Sequence, residues 1–157
     1  RLNRVVLRGP RGLPGPRGPQ GLPGISSINN FASFVSNTPQ EVEDNASVDF
    51  GNPTIWVGNA ISSQQRIAEL TLSPGTYFIV ANMAGKSIGD FTIDFKLQIG
   101  LNEQDFLHQP SISPNTQFAL GANTIILVSE TSSFSVVNNS NSAVCVENIS
   151  LSIIKIV

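Results

Sequence analysis

The clearest alternation in the chain runs from Phe91 to Ile99, FTIDFKLQI, where Phe91, Ile93, Phe95, Leu97 and Ile99 interleave with Thr92, Asp94, Lys96 and Gln98. A period of two over this length predicts a strand with one buried and one wet face. A second strand is predicted over Ile149–Val157. Its apolar positions Ile149, Leu151 and Ile153 keep one phase, and Ile154 and Ile156 change it. Either a bulge or burial on both faces gives such a change. The segment Tyr77–Ala81, YFIVA, is apolar on both sides and follows the turn signal Ser73-Pro74-Gly75. One side of that strand can face a core, and the other then needs a partner chain or another layer. Tyr77, Phe78, Ile79 and Val80 are therefore expected to serve core and oligomer interface.

Further strands are predicted at Phe31–Val35, Ser47–Phe50, Thr54–Val57, Ile67–Leu72, Gln117–Leu120, Thr124–Ser129 and Phe134–Val137. Gly51-Asn52-Pro53, Gly85, Pro110, Pro114, Gly121 and Asn138-Asn139 punctuate them. Short strands at this spacing predict an all-β fold, a β-sandwich or jelly roll. No amphipathic helix stands out, and Ile61–Leu70 has room for one helical turn at most.

Ahead of this β-rich part the pattern is of another kind. Glycine falls at Gly9, Gly12, Gly15, Gly18, Gly21 and Gly24, and prolines occupy the positions between them. At ordinary glycine usage such a register arises by chance roughly once or twice in a million trials. Glycine at every third position with proline between is the collagen repeat. Three polyproline-II chains meet there at an axis that admits only a hydrogen side chain. A single chain cannot form that helix, so the repeat predicts a homotrimer. Arg11, Arg17 and Gln20 stand in the third place of their triplets and are expected to reach carbonyls or acids of a neighbouring chain. At about 3 Å per residue the strip spans roughly 50 Å, too few triplets to hold three chains alone. The chain thus divides into a basic segment at 1–8, a triple-helical stalk at 9–24 and a trimerising head at 25–157.

Charge sharpens this division. Five of the nine cationic side chains, Arg1, Arg4, Arg8, Arg11 and Arg17, precede residue 25, whereas all eleven acids follow it. The head carries Arg66, Lys86, Lys96 and Lys155 against those acids, a balance of −7. Such a head is not expected to bind nucleic acid. No apolar run reaches the length of a membrane span, so membrane insertion is not expected. The chain opens on Arg1 without a signal-peptide pattern, as a processed chain or an excerpt would.

The residue types that carry catalysis are scarce. Cys145 and His108 are single copies. Cys145 lies in the apolar run SAVCVEN and is expected to be a small buried hydrophobe. His108, in DFLHQP, is expected in a solvated loop, and no Gly-x-Ser-x-Gly elbow is present. Glu41, Glu43 and Asp44 offer oxygens to calcium but lack EF-hand spacing, so a solvated acidic loop is preferred. Asp90, Asp94, Glu103 and Asp105 are expected as surface charges. Trp56 and Tyr77, each the one residue of its type, are expected in packing rather than under a sugar ring. Sequons occur at Asn45, Asn138 and Asn148. No catalytic residue, metal or cofactor is expected.

A collagen strip followed at once by a β-rich head resembles the trimeric jelly-roll heads of the tumour-necrosis-factor and complement-globular-head superfamily. The carrying residues are Gly9–Gly24, Phe31-Ala32-Ser33-Phe34, Ser73-Pro74-Gly75-Thr76-Tyr77-Phe78, Ile126-Leu127-Val128-Ser129-Glu130-Thr131 and Ile153-Ile154-Lys155-Ile156-Val157. In texture the chain resembles the bacterial branch, the collagen-like surface glycoproteins of Bacillus and Clostridium spore exosporium. The resemblance implies a tight three-fold head that nucleates the stalk and presents a binding or shielding surface, with a glycan or cell-surface receptor as partner, outside the cell or on a spore. Exosporium stalks are long and rich in Gly-Pro-Thr, whereas these triplets are few and carry arginine. A phage tail-fibre tip, or a structural coat component without a ligand, stays open beside the exosporium reading.

Overall fold

The computed structural model describes residues 29–63 and 68–156. The collagen strip, with Gly9, Gly12, Gly15, Gly18, Gly21, Gly24, Arg11, Arg17 and Gln20, lies outside them. The described residues form eleven strands: β1 (Phe31–Ser36), β2 (Gln40–Val42), β3 (Pro53–Val57), β4 (Ile61–Ser63), β5 (Leu70–Leu72), β6 (Gly75–Ser87), β7 (Phe91–Ile99), β8 (Asn102–Ile112), β9 (Gln117–Val128), β10 (Ser132–Asn138) and β11 (Val144–Lys155). They form two antiparallel sheets. One has the order β3-β1-β11-β6-β9, with β2 also pairing β11, and the other has the order β4-β5-β10-β7-β8. The chain crosses repeatedly between the sheets, which makes the head a jelly roll, as the strand spacing predicts.

The core lies between the sheets because each strand turns alternate residues inward. In β7 the inward set is Ile93, Phe95 and Leu97, all fully buried. β6 contributes Tyr77, Ile79, Ala81 and Met83, and β11 contributes Val144, Val146, Ile149, Leu151 and Ile153. Phe34 packs its ring against Phe50 at 6.0 Å and edge-on against Trp56 at 5.7 Å. Phe50 in turn meets Phe134 at 6.5 Å, so one aromatic chain ties the two sheets together.

Several boundaries depart from the sequence pattern. β9 is one continuous strand through Gly121, not two. Gly85 also sits inside a strand, because a Cβ there would meet the Cys145 carbonyl oxygen at 2.1 Å. Close backbone approach, not a turn, requires that glycine. Ser47–Phe50 forms no strand beyond a single bridge from Ser47 to Val137, although Val48 and Phe50 are fully buried. Its apolar alternation fills the core without a ladder. β2 takes the pairing place beside β11 instead. In β11 the bulge falls between Val146 and Asn148, not near Ile154. The phase change at Ile154 reflects a strand apolar on both faces. β8, read as loop, is an edge strand that accommodates Pro110 because its outer side lacks a pairing partner. Asn45, Asn115 and Asn141 take left-handed φ values of 58–62° in turns, where asparagine is tolerated. No helix occurs among the described residues.

Candidate functional site

The pleat divides the YFIVA segment between two faces. Tyr77 and Ile79 point into the core, and Phe78 and Val80 point out from the six-stranded sheet, where each is half-buried. Phe78 is not isolated on that face. It pairs with Ile154 of β11 and Ile125 of β9, Ile154 pairs with Phe31 of β1, and Phe31 pairs with Val57 of β3. Val57, Phe31, Ile154, Phe78 and Ile125 therefore form an apolar row across five strands. Leu127 extends it along β9 and is 77% exposed, with Ile125 at 64%. Contiguous apolar surface of this kind marks an interaction site more often than scattered exposed residues do.

Polarity rises along the strands away from this row. The next row holds Ile55, Ser33, Ser152, Val80 and Asn123, with Ser33 Oγ and Ser152 Oγ 3.4 Å apart. Beyond it come Val35, Ser150, Asn82 and Gly121, where Asn82 Nδ2 donates to Ser150 Oγ at 3.4 Å. Then follow Asn148, Ala84 and Ala119. Small side chains over these last rows leave a depression of about 430 Å³. The row furthest from Phe31 is Glu41, Cys145, Lys86 and Gln117, and Lys86 pairs with the bulged Glu147 at 3.4 Å. The solvent face of the other sheet is polar, with Thr92, Asp94, Lys96 and Gln98 along β7.

The candidates for chemistry are scattered. Cys145 is half-exposed on the outward face of β11, not buried as SAVCVEN suggests, because Val144 and Val146 take the inward positions on either side. His108 is exposed on strand β8, not in a loop, and faces out from the opposite sheet. The two side chains thus leave the sandwich on opposite faces, about 10 Å of core apart at the least, and cannot form a nucleophile–base pair. His108 Nδ1 lies 3.8 Å from Asp94 Oδ1, and Asp94 Oδ2 accepts a bond from Asn139 Nδ2 at 2.9 Å. Asp94 is thereby a half-buried pin for the β10–β11 turn rather than a free surface charge.

Glu41, Glu43 and Asp44 do not converge either. Asp44 spends its oxygens on Asn45 Nδ2 at 2.7 Å and the Asn141 N–H at 2.9 Å, and Glu41 stands on β2 facing out. Among the described residues, no three histidine, cysteine, aspartate or glutamate side chains come together as a metal site. Trp56 packs on Phe34, and its Nε1 donates to the Ile61 carbonyl at 3.0 Å. Asn138 is fully buried with both amide hydrogens donated, to Val42 O and Ser142 O, so that sequon is closed to modification in the fold.

The apolar face was only partly visible in sequence. Phe78 and Val80 came from a run without alternation. The run Ile125-Ile126-Leu127-Val128 carries the same signal and leads to Ile125 and Leu127. Phe31 and Val57 give no such signal, because their outward position follows from register alone.

No protein-family model and no curated protein sequence matches the chain. Solved structures do match in fold. The globular domain of zebrafish complement 1qA is 11% identical, with a TM-score of 0.63 over 82% of this chain and 98% of that one. The Eiger TNF of S. frugiperda is 16% identical, with a TM-score of 0.68 over 82% and 92%. The PRD1 vertex protein P5 is 16% identical, with a TM-score of 0.50 over 84% and 100%. The head therefore has the jelly-roll fold of the tumour-necrosis-factor and complement-globular-domain type.

Proposed function

We propose that this chain is a non-enzymatic homotrimeric surface or fibre protein. Its heads join through the outward face of the six-stranded sheet and nucleate the collagen stalk of residues 9–24. The observation that carries this is the apolar row from Val57 to Ile125, which includes Phe31, seven residues after the last stalk glycine. A stalk that needs three chains then leads directly into a surface that needs a partner. Likeness of fold to the complement globular domain and the TNF structure supports the same reading.

On this account the head's role is geometric. Three copies of one surface on a stalk raise the effective concentration of weak contacts to a multivalent target, such as a cell-surface glycan or receptor. A filament on a spore exosporium is the setting that the collagen-plus-head order favours. A fibre tip on a virion is the second reading, and the likeness of fold to a vertex protein favours it.

Phe78→Asp tests the core of the proposal. The variant should keep the near-ultraviolet signal of Trp56, sediment as a monomer and lose the collagen circular-dichroism band. A trimer with an intact stalk would refute the assigned face.

A further inference from the structure

The outward face of the six-stranded sheet changes character along its length, and the short link from Gly24 to Phe31 sets which end lies nearer the stalk. A triple helix winds three chains about one line. From Gly24 the chain reaches Phe31 within at most about 25 Å, at roughly 3.5 Å per residue. The Phe31 end of each head is therefore the end on the stalk side. There the face is apolar, from Phe31 to Ile125 and Leu127. About 30 Å further along β11, at 3.3 Å per residue, the face ends in Glu41, Lys86 and Glu147 around Cys145. Among the described residues no cation lies within ion-pair distance of Glu41. Closing three copies of that end against one another would strip water from three such carboxylates and three Lys86–Glu147 pairs, which costs more than a dry contact returns. Between the two ends lies the depression of about 430 Å³. Its lining is mostly apolar or small, with Met83, Ala84, Ala119 and Leu120, and the amides of Asn82 and Asn148 stand at it, with room for on the order of ten waters.

We propose, resting on the trimeric reading above, that three copies meet over the Phe31 half of this face only. The other half encloses a hydrated vestibule on the three-fold axis, open at the end remote from the stalk, with Cys145 near its mouth. The apolar half supplies the association energy. The other half keeps the amides of Asn82 and Asn148 and its charged end in water and leaves an axial recess accessible to small polar molecules.

Cys145 is the one cysteine of the chain, so its thiol reports the vestibule directly. The probe is dithiobis-nitrobenzoate, applied to the full chain with the mass of the same sample measured by light scattering. The comparison variants carry Cys145→Ser together with Ile154→Cys or, if that one does not fold, Ser152→Cys. In the trimer, Cys145 should react within about tenfold of its rate in denaturant, and the thiol at 154 or 152 at least about a hundredfold slower than its own denatured rate. A trimer in which Cys145 is as protected as the thiol at 154 or 152 would overturn the vestibule and leave the trimer standing. A trimer in which both thiols react freely would overturn it too, because the copies would then meet elsewhere. A monomer would overturn the trimeric reading itself.

Discussion

Tyr77 concentrates several demands on one side chain. It is fully buried, its hydroxyl donates to Ser73 O at 2.7 Å with Ala60 O at 3.2 Å, and the Lys155 ammonium lies 5.9 Å from the ring centre. Lys155 Nζ also donates to Ser73 Oγ at 3.3 Å, so the three residues close the Phe31 end of the core together. Burial pushes the phenol above its ordinary pKa of 10.0, and the hydrogen bonds to Ser73 oppose that shift without cancelling it. A phenol raised in the fold retains its proton where the unfolded chain has lost it. Its contribution is then fully present below about pH 10 and falls away as the pH climbs through the higher folded value. Tyr77 is the chain's one tyrosine, so tyrosinate absorbance titrates this residue alone. The folded midpoint should lie above that of the unfolded chain, and Tyr77→Phe should remove the alkaline loss of stability. A folded midpoint at or below the unfolded one would contradict this account of the core. Asn138 is a second pin, bonded to Val42 O, Ser142 O and the Ser140 N–H. Asn138→Ala should cost on the order of 3 kcal/mol in urea unfolding, because those groups lose their partner inside the protein. A loss under 1 kcal/mol would mean that water replaces the amide.

At the scale of strands, legibility follows how much a strand is asked to bury. β7 was legible over its whole length because one face is core and the other is wet, which writes a period of two into the sequence. β6 was legible as apolar on both sides over Tyr77–Ala81, and the structure assigns one side to the core and leaves the other on the surface, whereas β9 was legible only as the two shorter strands Gln117–Leu120 and Thr124–Ser129. β8 was not legible. It is an edge strand, largely exposed, and pairs with β7 through two register shifts, so no alternation survives. β2 and the Ser47–Phe50 segment exchanged roles because apolar spacing reports burial, whereas ladder pairing depends on which backbone lies alongside. Adjacent residues of β6 should therefore answer differently to the same insult. Ile79→Asp should unfold the head, since a lone carboxylate would enter the core. Val80→Asp should leave a folded monomer, read by near-ultraviolet dichroism and sedimentation. Equal unfolding of both variants would place Val80 in the core and contradict the assignment of faces.

For the whole molecule, the account joins two parts that are each incomplete. On the proposed reading the glycine register calls for three chains but is too short to hold them, and the head presents an apolar row that no other described residue covers. In the proposed trimer each supplies what the other lacks. Gly15→Ala should therefore lower the melting transition of the stalk while the head stays trimeric, because only the crowded axis at that triplet is disturbed. Loss of head and stalk in one transition would show that the stalk holds the heads together, not the reverse. The sandwich places Cys145 and His108 on opposite faces. The most direct test is the solution mass of the full chain at micromolar concentration, by light scattering or sedimentation equilibrium. The account predicts three times the 16.7 kDa chain mass, unchanged on dilution through that range. A mass of one or two chains would contradict it.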